Sequence, residues 1–180
     1  LGGAHLVVPA DVGDPDACAR LIDTAYAALG RLDTLVCNAG YGDMRTVLES
    51  DPASVRRMFD VNLLGTTECI RAAVPRMLGQ APAAGFRGQV MIVSSGAARR
   101  GVPMLGVYSA TKAAQLSVAE ALRVELRGSG VAVTSVHPMF GPDTDLLSGR
   151  HVICIDLGHA EALASAQQLF APTMANRVVM

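Results

Sequence analysis

The chain has 180 residues, of which 51% are hydrophobic and 17% are charged, and its formal net charge is -1. This length predicts one domain with a substantial core, and the composition argues against a disordered chain. The near-neutral charge argues against nucleic acid as a partner, and no apolar run is long enough to predict a membrane span or a secretion signal. We therefore expect a cytoplasmic globular protein that does not bind a membrane.

The first part of the chain predicts a strand, a helix and a second strand, in that order. Residues 5–9 form a short apolar run. Asp14 followed by Pro15 is typical of a helix start, and apolar residues at helical spacing continue until Gly30. Residues 32–37 then predict a buried strand.

The remaining regular part alternates helices and strands. Asp51 and Pro52 repeat the helix-start signal, and the apolar spacing predicts one long helix that continues to residue 79. A strand at 89–94, a helix at 107–127 and a strand at 131–136 follow. Strands that are apolar throughout and alternate with helices indicate an α/β fold, with a parallel sheet covered by helices on both faces.

Polar and small residues follow the ends of the predicted strands. Ligands of an open parallel sheet bind beyond the carboxyl ends of its strands, so these residues should meet along one edge. They are Asp11, Asn38-Ala39-Gly40, Ser94-Ser95 and His137-Pro138.

Tyr108 and Lys112 lie four residues apart in the predicted helix 107–127, so their side chains should be neighbours on one face. Lys112 is the single lysine among 15 lysines and arginines, and arginine does not replace a compact ammonium group. A cation this close favours the ionised phenol, which predicts a lowered pKa for Tyr108 and suits acid/base catalysis. The alternative, two ordinary surface residues, does not explain why the lone lysine stands here.

The order and spacing of these residues resemble the short-chain dehydrogenase/reductase family over nearly the whole chain. The shared elements are Asp11-Val12, Asn38-Ala39-Gly40, Asn62 within Val-Asn-Leu-Leu-Gly, Ser95 before Tyr108, Lys112, and Pro138 followed by Thr144. The resemblance implies an incomplete Rossmann-like, doubly wound sheet in a single domain spanning residues 1–180. It also implies an oxidoreductase that transfers a hydride between NADP or NAD and an alcohol or carbonyl substrate.

The resemblance assigns a role to each catalytic position. Tyr108 would be the general acid/base, Ser95 would orient the substrate oxygen, and Lys112 would hold the nicotinamide ribose and lower the phenol pKa. Asn62 would anchor a water that links the lysine to solvent. Ser94 is the alternative to Ser95, and the spacing to Tyr108 favours Ser95.

The cofactor contacts implied by the resemblance also follow the strand ends. Tyr108 and Lys112 would contact the cofactor as well as act in catalysis. The other expected contacts are Asp11 and Val12 at the adenine, Asn38, Ala39 and Gly40 on the adenosine side, and Pro138 and Thr144 nearer the nicotinamide or the pyrophosphate.

Two departures from the family pattern are visible. The chain does not contain the glycine-rich turn that seats the pyrophosphate, nor the strand end that discriminates NAD from NADP. The segment from Pro138 to Thr144 is one residue longer than usual. We therefore expect a piece of a longer polypeptide, in which the run near Val7 is unpaired while the three later strands stay together.

Several further residues have weaker functional interpretations. Residues 139–180 are expected to be a substrate-loop region with one helix at 160–170. Arg99 and Arg100 could bind an anionic substrate, but exposed solvated arginines are the favoured interpretation. The residues expected to line the substrate side are Asp43, Met44, Met139 and Phe140. A set of metal-compatible side chains has no recognised zinc spacing, so no metal site is predicted: His151, Cys154, Asp156 and His159.

The alternatives to an enzyme are a non-catalytic cofactor-sensing or scaffold protein of the same fold, and an inactive fragment. The intact serine, tyrosine and lysine set favours an enzyme. The two long helices are more apolar than one sheet face requires, and by the resemblance we expect a homodimer or homotetramer.

Overall fold

A computed structural model describes residues 6–83, 85–138 and 177–179. Its sheet contains β1 (Thr34–Cys37), β2 (Gly88–Val93), β3 (Val131–Val136) and β4 (Arg177–Val179). The strand order is β3-β2-β1-β4, and every neighbouring pair is parallel. The parallel sheet predicted from the sequence is therefore confirmed.

The helix starts follow the predicted capping signals. Helix α1 (Pro15–Leu29) begins where the Asp14 side chain accepts a hydrogen bond from the Asp16 N–H, and it ends at Gly30 in the left-handed conformation with φ of 74°. Helix α2 (Pro52–Phe59) begins in the same way at Asp51. Both starts are confirmed because an aspartate cap followed by proline satisfies the first turn locally.

The single long helix predicted from residue 52 to residue 79 is divided in the structure. Helix α2 continues into a π-helical segment (Asp60–Gly65), which leads into α3 (Thr66–Gly79). The prediction of one uniform helix was therefore wrong over the π segment. One extra residue in a single turn leaves the apolar spacing before and after it helical, so the sequence pattern does not reveal the widened turn. Helix α4 (Gly106–Glu125) follows β2.

The main core lies on one face of the sheet. Leu35, Val90 and Ile92 form one apolar cluster with buried residues of α1, α3 and α4. On the opposite face Met91 and Val136 pack with Val36, and in the described ranges that second cluster contains strand residues alone. Helices were predicted on both faces of the sheet, and the described residues place them against one face.

Residues 6–10 adopt neither helix nor strand. The prediction of a strand here was wrong, whereas the prediction that this run stays unpaired is confirmed. Val7 is 79% exposed, and Pro9 has no N–H to donate to a ladder. The edge of β1 away from β2 is bonded instead to β4, with Leu35 opposite Val178.

Some predictions fall outside the described residues. They concern Thr144, Met139, Phe140, His151, Cys154, Asp156, His159 and the helix at 160–170. Across residues 6–83 and 85–138, no helix combines the length and apolar character needed to cross a membrane.

Candidate active site

The site lies at the carboxyl ends of β1, β2 and β3. The ends of β2 and β3 are tied together, because the Ser94 N–H donates to Val136 O at 2.8 Å and the Gly96 N–H donates to Pro138 O at 2.8 Å. His137 is buried between them, with Nδ1 3.4 Å from Ser95 O. The parallel sheet therefore brings the residues after β2 and β3 to one edge, as the sequence predicts.

Ser95 faces the phenol of Tyr108. Ser95 interacts with the phenol closely enough to oppose the rise of its pKa, and the Ala97 N–H donates to Ser95 Oγ at 3.1 Å, which fixes the serine at the start of a 3₁₀ turn. Ser94 points elsewhere, since its hydroxyl donates to Lys112 O at 2.8 Å. The geometry therefore places Ser95 rather than Ser94 beside the tyrosine.

Tyr108 and Lys112 lie on the same face of α4, as predicted. The Lys112 ammonium nitrogen is 5.7 Å from the centre of the Tyr108 ring. The ammonium donates to Val93 O at 3.0 Å and to Gln115 Oε1 at 2.9 Å. The lysine is held against the end of β2 as well as beside the tyrosine.

The expected direction of the Tyr108 pKa is wrong in this arrangement. Burial raises the pKa of the phenol, and the hydrogen bond from Ser95 opposes that rise. Burial also lowers the pKa of Lys112 to about 8, because the residue is 3% exposed and its ammonium has lost hydration. Loss of water therefore sets the direction of the pKa shift at both groups.

Asn62 joins the π segment to the loop after β1 and to α4. Its Nδ2 donates to Tyr41 O and to Thr111 Oγ1, each at 2.9 Å, and its Oδ1 accepts from the Tyr41 N–H at 2.7 Å. This amide fixes the loop so that a Cβ on Gly40 would lie 3.5 Å from the Lys112 nitrogen. The Asn38-Ala39-Gly40 turn is thereby held beside the lysine.

A cavity of about 480 Å³ lies next to that turn. Its volume is typical of a small-molecule site. Its walls are mostly apolar, and they are formed by Val8, Ala10, Asp11, Val12, Leu21, Ala39, Gly40, Tyr41, Arg57 and Val61.

Arg57 and Asp11 are ion-paired on the wall of this cavity, with Arg57 Nη2 2.7 Å from Asp11 Oδ1. The same oxygen accepts from the Gly13 N–H at 2.9 Å. The hydrogen bond from Arg57 lowers the pKa of Asp11, so the carboxylate stays ionised. An apolar cavity with a carboxylate at its rim fits the adenine end of a dinucleotide.

Other predicted residues are placed away from the tyrosine or are exposed. Asp43 accepts from Ser54 Oγ at 2.8 Å and pairs with Arg45 at 3.0 Å. Met44 is 69% exposed, and it is Gly42 that lies against the phenol, since a Cβ there would be 3.2 Å from the ring. Arg99 and Arg100 are exposed, and no further role is assigned to them.

The sequence interpretation missed several residues that complete the site, namely Tyr41, Arg57, Thr66, Thr111 and Gln115. Gln115 had a usable signal, because it lies three residues after Lys112 and therefore on the same helical face. The others depend on contacts between elements distant in the chain, which spacing does not reveal.

A family model described as short chain dehydrogenase matches residues 1–151 of this chain. The chain belongs to the short chain dehydrogenase family. The family predicted from Asp11, Asn62, Ser95, Tyr108 and Lys112 is therefore confirmed.

Curated relatives of this short chain dehydrogenase include enzymes from plants and bacteria. It is 36% identical over 154 residues to 11-beta-hydroxysteroid dehydrogenase 1A of Arabidopsis thaliana, which covers 84% of this chain and 42% of the relative. It is 34% identical over 140 residues to (-)-trans-carveol dehydrogenase of Rhodococcus erythropolis, covering 77% and 49%. The chain thus spans about half the length of the curated relatives it matches.

Solved structures confirm the Rossmann-like fold. The structure of ElxO with NADP bound is 27% identical, with a TM-score of 0.66, and the match covers 72% of this chain and 51% of that one. An NAD+-bound xylitol dehydrogenase gives a TM-score of 0.67 at 24% identity over 74% and 50% of the two chains, and supports the fold alone. NADP or NAD, the cofactor class predicted from the sequence, is bound in both proteins.

Proposed function

We propose that this chain carries the catalytic centre of an NADP- or NAD-dependent oxidoreductase that interconverts an alcohol and a carbonyl compound. The single observation that supports this most is the Lys112 ammonium 5.7 Å from the centre of the Tyr108 ring on one face of α4, with Ser95 beside the phenol. A side chain that gives or takes a proton must lie within hydrogen-bond reach of its partner, and the hydroxyl of Ser95 marks where a substrate oxygen would be held.

The nicotinamide cofactor supplies the hydride donor or acceptor when bound. Asp11 and Val12, with the turn 38–40, would hold its adenosine end in the cavity, and Lys112 would bind the ribose nearer the reacting ring. Binding by these residues brings the reactive ring and the substrate together, which removes much of the entropic cost of the reaction.

Tyr108 gives its hydroxyl proton to the carbonyl oxygen during reduction and takes it back from the alcohol during oxidation. Its raised pKa keeps the phenol protonated at neutral pH, which is the form required for reduction. Ser95 donates a hydrogen bond to the same oxygen and stabilises the negative charge that develops there.

The decisive experiment compares purified full-length wild type with Tyr108→Phe in NADPH and NADH oxidation with a carbonyl panel. The panel includes a ketosteroid and carvone, because two relatives are named for a hydroxysteroid and for carveol. Loss of the proton donor should lower kcat roughly 100-fold or more.

Tyr26→Phe is the matched control. Tyr26 lies on α1 with its ring under Arg76, so removal of its hydroxyl should leave turnover unchanged. Equal turnover by wild type and Tyr108→Phe would overturn the proposal. Cofactor binding without turnover of any carbonyl by the wild type would favour a non-catalytic member of the fold.

A further inference from the structure

Gln115 forms a buried bridge between α4 and the π segment. Its side chain is 0% exposed. On one side its Nε2 donates to Asn62 O at 2.6 Å and to Thr66 Oγ1 at 2.8 Å. On the other side its Oε1 accepts from the Lys112 ammonium at 2.9 Å.

The orientation of this amide is fixed by its neighbours. Thr66 Oγ1 donates its own hydrogen to Asn62 O at 2.8 Å, so it can only accept from Gln115. A flipped amide would place Oε1 against the Asn62 carbonyl and Nε2 against an ammonium, which are two repulsive contacts. The oxygen of Gln115 therefore faces Lys112.

We propose that Gln115 is a positioning residue for Lys112: its amide is anchored on the π segment, holds the ammonium in place and favours the protonated form. A hydrogen bond accepted from a charged group stabilises that charged form, most of all where water is excluded. The catalytic consequence rests on the proposed function, whereas the effect of Gln115 on the lysine does not.

The other groups that face the ammonium are uncharged, so the hydrogen bond to Gln115 should have a measurable effect on the Lys112 pKa. From α4 the titratable neighbour is the Tyr108 phenol. From β2 the facing group is the Val93 carbonyl, and from the loop after β1 it is Gly40; both are uncharged. Burial lowers the pKa of Lys112 to about 8, and no charged side chain of the described residues adds to that shift.

Gln115 does not itself take part in the proton relay expected through Asn62. The Asn62 carbonyl oxygen accepts from both Gln115 and Thr66, so its two lone pairs are in use. An amide whose two Nε2 hydrogens are donated and whose oxygen carries no hydrogen cannot pass a proton as water does. Gln115 therefore connects Lys112 to Asn62 mechanically and not as a proton carrier.

The test is a direct titration of the lysine by NMR after labelling with [13Cε]lysine, with Lys112→Met to assign the resonance. Gln115→Met keeps the side-chain length and removes the acceptor. The titration midpoint of Lys112 should then fall by about one pH unit, because a hydrogen bond to a charged group is lost. An unchanged midpoint in folded Gln115→Met would overturn the proposal.

Gln80→Met is the matched control for removing a buried amide. Gln80 is 7% exposed, and its amide bonds to the backbone of Leu32 and Arg87 at the opposite end of β1. It should disturb packing to a similar extent and leave the lysine midpoint where it is. An equal fall in Gln80→Met and Gln115→Met would also overturn the proposal.

Two measurements keep the proposal testable if Gln115→Met does not fold. Gln115→Glu places a carboxylate beside the ammonium and should raise the lysine midpoint. In the wild type, the Gln115 Nε2 resonance should shift with the same midpoint as Lys112. A Gln115 resonance that does not shift as Lys112 titrates would contradict the hydrogen bond between Gln115 Oε1 and the Lys112 ammonium.

The activity profile separates this inference from the proposed function. The decline of turnover at high pH should move to lower pH in Gln115→Met and to higher pH in Gln115→Glu, following the lysine midpoint. If the midpoint moves as expected while no form turns over any carbonyl, the positioning role stands and the proposed function fails.

Discussion

The ammonium of Lys112 couples the stability of the fold to pH. Burial lowers its pKa from 10.5 to about 8, so between these two values the unfolded chain binds more protons than the folded one. Stability rises with pH wherever the unfolded state binds more protons. The contribution of Lys112 is therefore least favourable below pH 8 and improves as the pH approaches 10.5.

Lys112→Met should remove this pH dependence. The unfolding free energy of the variant minus that of wild type should fall by up to about 3 kcal/mol as the pH is raised from 8 to 10.5. Urea denaturation of the two proteins across this range measures the difference.

The buried thiols act in the opposite direction and cancel in that comparison. Burial raises the pKa of Cys18, Cys37 and Cys69, so these groups ionise first in the unfolded chain and lower stability at high pH. They are present in both proteins. A stability difference that does not change with pH would mean that Lys112 is not buried as an ammonium.

Several residues that form the site could be predicted from the sequence, but the burial of their side chains could not. Tyr108 and Lys112 are four residues apart, so helical geometry alone brings them together. The pKa of Tyr108 is raised rather than lowered because its side chain is buried against residues such as Gly42 after β1 and Ser95 after β2, which the spacing does not describe. The spacing of Gln115 places it on the face of Lys112, but its contact with Asn62 is not visible in the sequence.

The π segment is the element that positions most of the site. Its Asn62 carbonyl accepts from Gln115 on α4, its Asn62 side chain holds Tyr41, and its last residue, Gly65, packs against Val12. Single-turn π segments are frequent at functional sites because they redirect backbone groups out of the regular helix. The widened turn connects α4, the loop after β1 and the cavity wall.

Gly65→Ala should damage both the fold and the cofactor cavity. A Cβ at this position would lie well inside contact distance of the Val12 carbonyl oxygen and 3.2 Å from Val12 Cβ. Backbone must then move, which should lower the unfolding free energy by about 1–3 kcal/mol. NADPH and NADH affinity should fall as well, because Val12 lines the cavity.

Gly79→Ala, at the last residue of α3, is the matched control. A Cβ there meets nothing within 4 Å, and alanine is the better helix former, so stability should be unchanged or rise by up to about 1 kcal/mol. Denaturation curves and cofactor titrations of both variants check these expectations. If the two alanines behaved alike, the close approach of Gly65 to Val12 would be disproved.

Element boundaries were predictable wherever the signal was local. Asp14 and Asp51 mark helix starts because their side chains cap the first turn, and Gly30 ends α1 because it can adopt a positive φ. The π segment lacks such a signal. It is stabilised by contacts from Gln115 and Thr111, which lie about fifty residues further along the chain.

At the scale of the molecule, β2 is an interior strand of the sheet, whereas the run before α1 in the described residues lies outside it. Strand β2 is bonded along its length to β1 on one side and to β3 on the other. Residues 6–10 have no place in the sheet. The alternation of strands and helices predicted the parallel order, but pairing of β1 with β4 joins residues about 140 positions apart, which no local pattern indicates.

Amide hydrogen exchange should show this difference directly. Peptides covering residues 6–10 should take up deuterium almost fully at the earliest times, because their N–H groups are outside any ladder and Leu6 and Val7 are exposed. Peptides covering β2 should exchange slowest, near the free energy of global unfolding. Strand β3 serves as an internal reference, because its pairing in the described residues is on one side, with β2. Protection of residues 6–10 equal to that of β3 would show that this run is a paired strand in solution, and the strand order β3-β2-β1-β4 would then lack one strand.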